Sequence, residues 1–264
     1  TSKEEVRRIM GGNVFKDFDK SPLTRSIKLE DIPDTVAYLE KVTGLDFTLD
    51  KDDTGVPIKW LGSTGRKSES GDLDLSVDER QIDKDTLIHA LISSGFTRQE
   101  IRKTGDNVHL MTPIKGDKSK GFVQTDFMFT SDPEWQHFSI KSGLEGSEYR
   151  GEHRHILLAS IARARGFKYS PKNGLVDEET NEVITKDPNT IAKKLLGQMA
   201  TVKDLASVES IINVVEKLDN YNDLVAQARE TLGKQGITLP EAFTFESSKT
   251  GTTQWFRKMM NRIK

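Results

Sequence analysis

Leu61-Gly62-Ser63-Thr64-Gly65-Arg66, followed closely by Gly71-Asp72-Leu73-Asp74-Leu75-Ser76-Val77, decides how the rest of the chain is read. Leu73, Leu75 and Val77 alternate with Asp72, Asp74 and Ser76, which is the period of a strand with one apolar and one polar face. Ile58-Lys59-Trp60-Leu61 reads as a short buried strand that Gly62 stops. Aspartates two apart on a strand share a face, with roughly 7 Å between them along the chain. Such a pair can share one divalent cation or hold two about 3.5–4 Å apart. The preceding turn suits a phosphate. Gly62 lets backbone come close, Ser63 offers an amide and a hydroxyl, and Arg66 offers a guanidinium fork.

An Asp-x-Asp pair alone is usually a solvated strand face, and Gly-Ser turns are common. The third acid adds weight. Phe122-Val123-Gln124-Thr125-Asp126-Phe127-Met128-Phe129 is a strand-like run with little reason to carry an acid. Val123, Phe127 and Phe129 fall on its core face, opposite Asp126. Asp126 is therefore the candidate third ligand, and the candidate base toward an acceptor hydroxyl.

Working outward, Asp31 is placed to cap a helix over 33–43, with Gly44 after its end. Residues 45–56 read as a loop or an edge hairpin. Asp85 is placed to cap a helix over 86–94, ended by Gly95. Residues 108–114 and 122–129 read as an antiparallel hairpin around Gly116 and Gly121. A loop containing Asp132-Pro133 and Gly143 leads to a helix over 147–165. Short strands are expected at 167–170, 175–176 and 183–184. Asp187-Pro188 opens a helix that Gly197 closes, and 202–232 is helical twice over. The fold class is α+β: a mixed sheet flanked by helices, then a smaller, mostly helical part. The expected divisions are an N-terminal arm at 1–30, with a short helix near 2–10, a sheet domain at 31–130, a smaller region at 131–200 and a helical region at 201–264.

The 39 Lys+Arg against 41 Asp+Glu give a net charge of −2, which speaks against the global basic footprint of a nucleic-acid coat protein. The chain has no cysteine, so disulfides and thiolate metal sites are excluded. No apolar run approaches the length of a membrane span. The reading is a cytoplasmic protein, not a secreted one, with a viral origin left open.

At Leu61-Gly62-Ser63, Asp72, Asp74 and Asp126 the chain resembles the DNA polymerase beta-like nucleotidyltransferase superfamily, and Arg66 matches the arginine that family X polymerases place after their Gly-Ser. Gly146-Ser147-Glu148-Tyr149, then Ala159 to Gly166-Phe167, resembles the family X segment in which a second Gly-Ser turn contacts the incoming nucleotide. The likeness covers about residues 55–197. It implies a palm-like sheet and a thumb-like region. It also implies Mg²⁺ or Mn²⁺ on Asp72, Asp74 and Asp126, and an NTP or dNTP, ATP included, held by Gly62, Ser63, Arg66, Gly146 and Ser147. A nucleoside monophosphate would pass to an acceptor hydroxyl with release of pyrophosphate. The acceptor stays open among an RNA or DNA 3′ end, a protein hydroxyl and a small molecule. Where family X polymerases carry a Tyr-Phe pair, this chain has Gly143-Leu144, and residues 1–50 show no helix-hairpin-helix pattern. The first leaves ribose versus deoxyribose open, and the second tilts away from a templated polymerase.

Several residues carry two readings. His153 and Arg154, with Arg150, could bind phosphates or form a solvated helix face. A zinc site from His153 and His155 is disfavoured, because side chains two apart on a helix diverge. His89 and His109 read as structural. Trp135 and Phe138 could stack on a base, with packing the favoured alternative. The basic tail, Arg257-Lys258 through Arg262 and Lys264, reads first as a helical cap, and the C-terminal helices as core or an oligomer surface. The alternative to an enzyme is a nucleotidyltransferase fold kept as a binding or structural protein in a larger assembly, a viral one included.

Overall fold

Five strands make the sheet that carries Asp74 and Asp126. In chain order the elements of the first part are β1 (Ile27–Lys28), α1 (Ile32–Thr43), β2 (Trp60–Leu61), β3 (Glu69–Ser70), β4 (Leu73–Asp78), α2 (Lys84–Ser93), β5 (Ile101–Thr104), β6 (Asn107–Pro113) and β7 (Phe122–Thr130). The sheet order is β2-β4-β7-β6-β5, and β1 pairs separately with β3. β4 and β7 run parallel while the other pairings are antiparallel, so the sheet is mixed. This is a computed structural model, and it describes residues 14–52, 54–140 and 151–218, with 223 and 226. The helix expected near 2–10, Gly143-Leu144, Gly146, Ser147, Arg150, most of the second helical stretch up to 232 and the basic tail lie outside the described residues.

The alternation read in β4 and β7 is what builds the core. Leu73, Leu75 and Val77 join Val123, Phe127 and Phe129 on the buried face, against Ile32, Val36 and Leu39 of α1 and Leu87 and Leu91 of α2. Each large apolar side chain so buried stabilises the fold by roughly 1.5–3 kcal/mol. The opposite face keeps Asp74, Ser76, Gln124 and Asp126. The described residues of 45–56 form a loop, with a bridge from Lys51 to Pro57.

Helix starts differ from expectation in their chemistry. α1 ends as read, with Gly44 at φ 72° and its N–H donating to the Glu40 carbonyl. Asp31 makes no side-chain cap there, and its carboxylate pairs with Lys115 Nζ at 2.9 Å instead. α2 is capped by Asp83, which accepts from the Thr86 N–H at 2.7 Å. Asp85 lies inside the first turn and pairs with Lys103.

The second part holds α3 (Pro133–Ser139), α4 (Gly151–Ala164), β8 (Phe167–Ser170), β9 (Gly174–Asp177), β10 (Val183–Thr185), α5 (Pro188–Leu196) and α6 (Val208–Val215). The three strands form one antiparallel sheet, ordered β10-β9-β8. α3 replaces the expected loop. Asp132 caps it by accepting from the Trp135 N–H, and Pro133 sits in its first turn, where a missing N–H costs nothing. Trp135 and Phe138 are buried, their ring centroids 5.5 Å apart, and pack with Leu158, Ile161, Leu175 and Ile191. Packing, not base stacking, is their role. Among the described residues no helix is long and apolar enough to cross a membrane.

Candidate functional site

Register creates the site. β4 and β7 pair in parallel with Asp74 opposite Asp126, and Asp72 stands one residue before β4 begins. One carboxylate oxygen from each of Asp72, Asp74 and Asp126 lies within 4.8 Å of the other two. Parallel pairing puts two acids from distant parts of the chain side by side on one sheet face. The turn before β4 then delivers the third.

Three carboxylates so close repel. Burial, and then the Asp126 charge, push the Asp72 carboxyl up to about 7. Burial, with Asp72 and Asp126 beside it, holds Asp74 well above the usual carboxylate range. Among the described residues no lysine or arginine pairs with any of the three, and His109 Nδ1 meets Asp126 at 2.7 Å. A divalent cation is the charge that would turn this repulsion into coordination, and oxygen donors of this kind suit Mg²⁺ or Mn²⁺.

The Gly62-Ser63 turn abuts the acids. Gly62 has φ 56°, and a Cβ there would stand 2.5 Å from Asp74 Oδ2. Its N–H donates to the Ile140 carbonyl at 3.1 Å, tying the turn to the end of α3. The Ser63 carbonyl accepts from the Arg66 N–H and from Ser70 Oγ, which closes the turn. Thr64, fully buried, accepts from the Asp74 N–H at 3.0 Å through Oγ1. These contacts make Gly62→Ala costly in two ways: positive φ disfavours a side chain, and the methyl would displace the carboxylate. We expect a stability loss of about 1–3 kcal/mol, together with weakened Mn²⁺ binding. Denaturant melts and Mn²⁺ titration measure the two effects separately.

Arg66 is otherwise engaged. Its Nη2 pairs with Asp52 Oδ2 at 2.6 Å, and His137 Nε2 lies 3.3 Å from both atoms. Burial alone would raise the Asp52 carboxyl. Hydrogen bonds from Thr54 and Arg66, with the Arg66 charge, outweigh burial and hold it well below the usual range. Arg154 also departs from expectation. It is 1% exposed, donates from Nε to the Leu205 carbonyl at 2.7 Å and from Nη1 to the Phe138 carbonyl at 3.1 Å. It is neither a solvated face nor a phosphate contact. Gly146 and Ser147 lie outside the described residues.

His109 was read only as structural, yet it touches the third acid. Counting back equally from the Pro113–Phe122 pair lands it opposite Asp126, so hairpin arithmetic could have found it. No protein-family model matches the chain, and no curated protein matches it. The functional reading rests on the site's own chemistry.

Proposed function

We propose that this chain is a metal-dependent nucleotidyltransferase that moves a nucleoside monophosphate from an NTP or dNTP to an acceptor hydroxyl. The observation that carries the reading is the gathering of Asp72, Asp74 and Asp126 within 4.8 Å beside the Gly62-Ser63 turn. Asp72, Asp74 and Asp126 would hold Mg²⁺ or Mn²⁺, and such a cation, when bound, neutralises triphosphate charge and acidifies the acceptor hydroxyl. Asp126 is placed to take the acceptor proton. The acceptor oxygen bonds to the α-phosphorus, the α–β bridging P–O bond breaks, and its electron pair leaves with pyrophosphate. Ser63 would offer its amide and hydroxyl to the β- and γ-phosphates, while Gly62, whose N–H is held by the Ile140 carbonyl, would allow the close approach. For Arg66 to reach a phosphate, its pair with Asp52 must open. The five-stranded sheet then serves as palm and residues 131–200 as a thumb-like region, with Gly146 and Ser147 near the nucleotide by resemblance.

The test incubates the protein with each α-labelled triphosphate and a mixed pool of RNA, DNA and protein, with and without Mg²⁺. Label should move to one acceptor class in the presence of metal. Transfer that survives Asp72→Ala with Asp74→Ala would overturn the assignment. Failure to bind any triphosphate with Mg²⁺ in calorimetry would favour a binding or structural role instead.

A further inference from the structure

Both described hydrogen bonds to the Asp126 carboxylate end on the same oxygen. His109 Nδ1–H donates to Oδ1 at 2.7 Å, and Gln124 Nε2–H donates to Oδ1 at 2.9 Å. All three side chains are buried, so neither bond competes with bulk water. Each donor is itself oriented by a further contact. A carboxylate only accepts, so Nδ1 carries a proton toward Asp126, and the ring's other nitrogen, Nε2, meets the Thr104 hydroxyl on edge strand β5. Gln124 Oε1 accepts from the Val14 N–H at 2.9 Å, which turns the amide so that its NH₂ end faces Asp126. A backbone amide near the N-terminus thus sets the amide orientation at the third acid.

We infer that Asp126 works through Oδ2 alone, and that His109 and Gln124 are the positioning residues that lock Oδ1. The inference rests on the metal reading proposed above. A carboxylate whose side chain rotates freely offers either oxygen, at varying positions, to a cation or an acceptor hydroxyl. Two donors converging on Oδ1 remove that freedom: a half-turn only exchanges two equivalent oxygens, while any intermediate rotation breaks both bonds, so one oxygen always faces the donors and the other points away from them. The β6–β7 hairpin makes the arrangement rigid: His109 faces Asp126 directly across the pair, and Gln124 lies two residues along on the same face. Neither residue needs to touch metal or nucleotide to matter. Partners that orient a metal-ligating carboxylate typically change metal affinity or activity by about 10–100-fold when removed.

The experiment measures Mn²⁺ binding to the full chain by the loss of the free-ion electron paramagnetic resonance signal. Wild type is compared with Asp126→Asn, His109→Phe, His109→Asn and Gln124→Met, with circular dichroism checking that each variant folds. His109→Phe and Gln124→Met should weaken Mn²⁺ by about 10-fold or more. His109→Asn keeps a donor near the place of Nδ1 and should stay within about threefold of wild type. A merely structural histidine would not show that rescue. If wild type, His109→Phe and Gln124→Met bind Mn²⁺ equally, the positioning role is overturned while the metal site stands. If wild type binds no Mn²⁺, the proposed function fails and the inference with it. Should His109→Phe not fold, Gln124→Met decides the question alone.

Discussion

Asp74→Asn should raise the melting temperature of the metal-free protein while abolishing the Mn²⁺ stabilisation and nucleotide transfer proposed for the site. Asp74 is held against Asp72 and Asp126 with no described lysine or arginine to offset them. Burial, and then the neighbouring carboxylates, make its charge unfavourable. An amide of the same shape removes that cost, and we expect a gain of about 1–2 kcal/mol, or roughly 2–8 °C for a chain of this size. The pH dependence has a definite sign. Asp72 is raised to about 7, so the native metal-free protein takes up a proton that the unfolded chain does not hold between pH 7 and the ordinary carboxylate value. The cost of ionising Asp72 is therefore full above about pH 7 and fades as pH falls toward the ordinary carboxylate value, and Asp74, raised in the same direction, adds to it at high pH. The gain from Asp74→Asn, measured in chelator, should be larger at pH 8 than at pH 5. Activity should fall on the order of 10³–10⁴-fold, as for residues acting as one catalytic unit. A variant that is less stable without metal, or that still gains stability from Mn²⁺, would contradict the site.

Arg154→Ala should be strongly destabilising. The side chain bridges two carbonyls, those of Phe138 and Leu205, and its guanidinium lies 4.7 Å from the Phe138 ring centroid. Burial lowers its pKa, with the neighbouring Tyr169 acting the other way. Truncation leaves two acceptors unpaired and a large void, and the expected loss is about 3–5 kcal/mol. Arg154→Met refills the volume without the donors and should lose less. Urea unfolding would show this as a lower midpoint at unchanged slope. The effect should spread to the carboxylate cluster, because Phe138 is two residues from Ile140, whose carbonyl accepts from Gly62. A loss below about 1 kcal/mol would show that this bridge carries little.

What was legible locally was what repeats locally. Leu73-Leu75-Val77 and Val123-Phe127-Phe129 announced their strands and faces by period alone, and Gly44 and Asp187-Pro188 marked helix ends. Short elements escaped. β5 carries one apolar residue in four, and α3 is seven residues long inside a stretch read as loop from Asp132-Pro133 and Gly143. Partner choice among charges escaped as well. Asp83 and Asp85 are equally good caps by composition, and the structure separates them: Asp83 accepts from the Thr86 N–H while Asp85 pairs with Lys103. In the site, the three acids were legible because an acid in an aromatic strand is conspicuous. The engagement of Arg66 by Asp52, the burial of Arg154 and the grip of His109 on Asp126 depend on tertiary neighbours that no local pattern encodes.

The parallel pairing of β4 with β7 also bears on when the site comes into being. Asp74 and Asp126 meet only after the chain between them has closed a long loop, a non-local contact whose entropy must be met before it is rewarded. The unfolded chain holds the same three acids but not their proximity. A cation that needs all three therefore favours the folded state by mass action, in proportion to the logarithm of its concentration over its dissociation constant. Divalent metal would act as a late-stage fastener of the sheet: it cannot hasten the search for the β4–β7 pairing, but it slows the loss of that pairing once made.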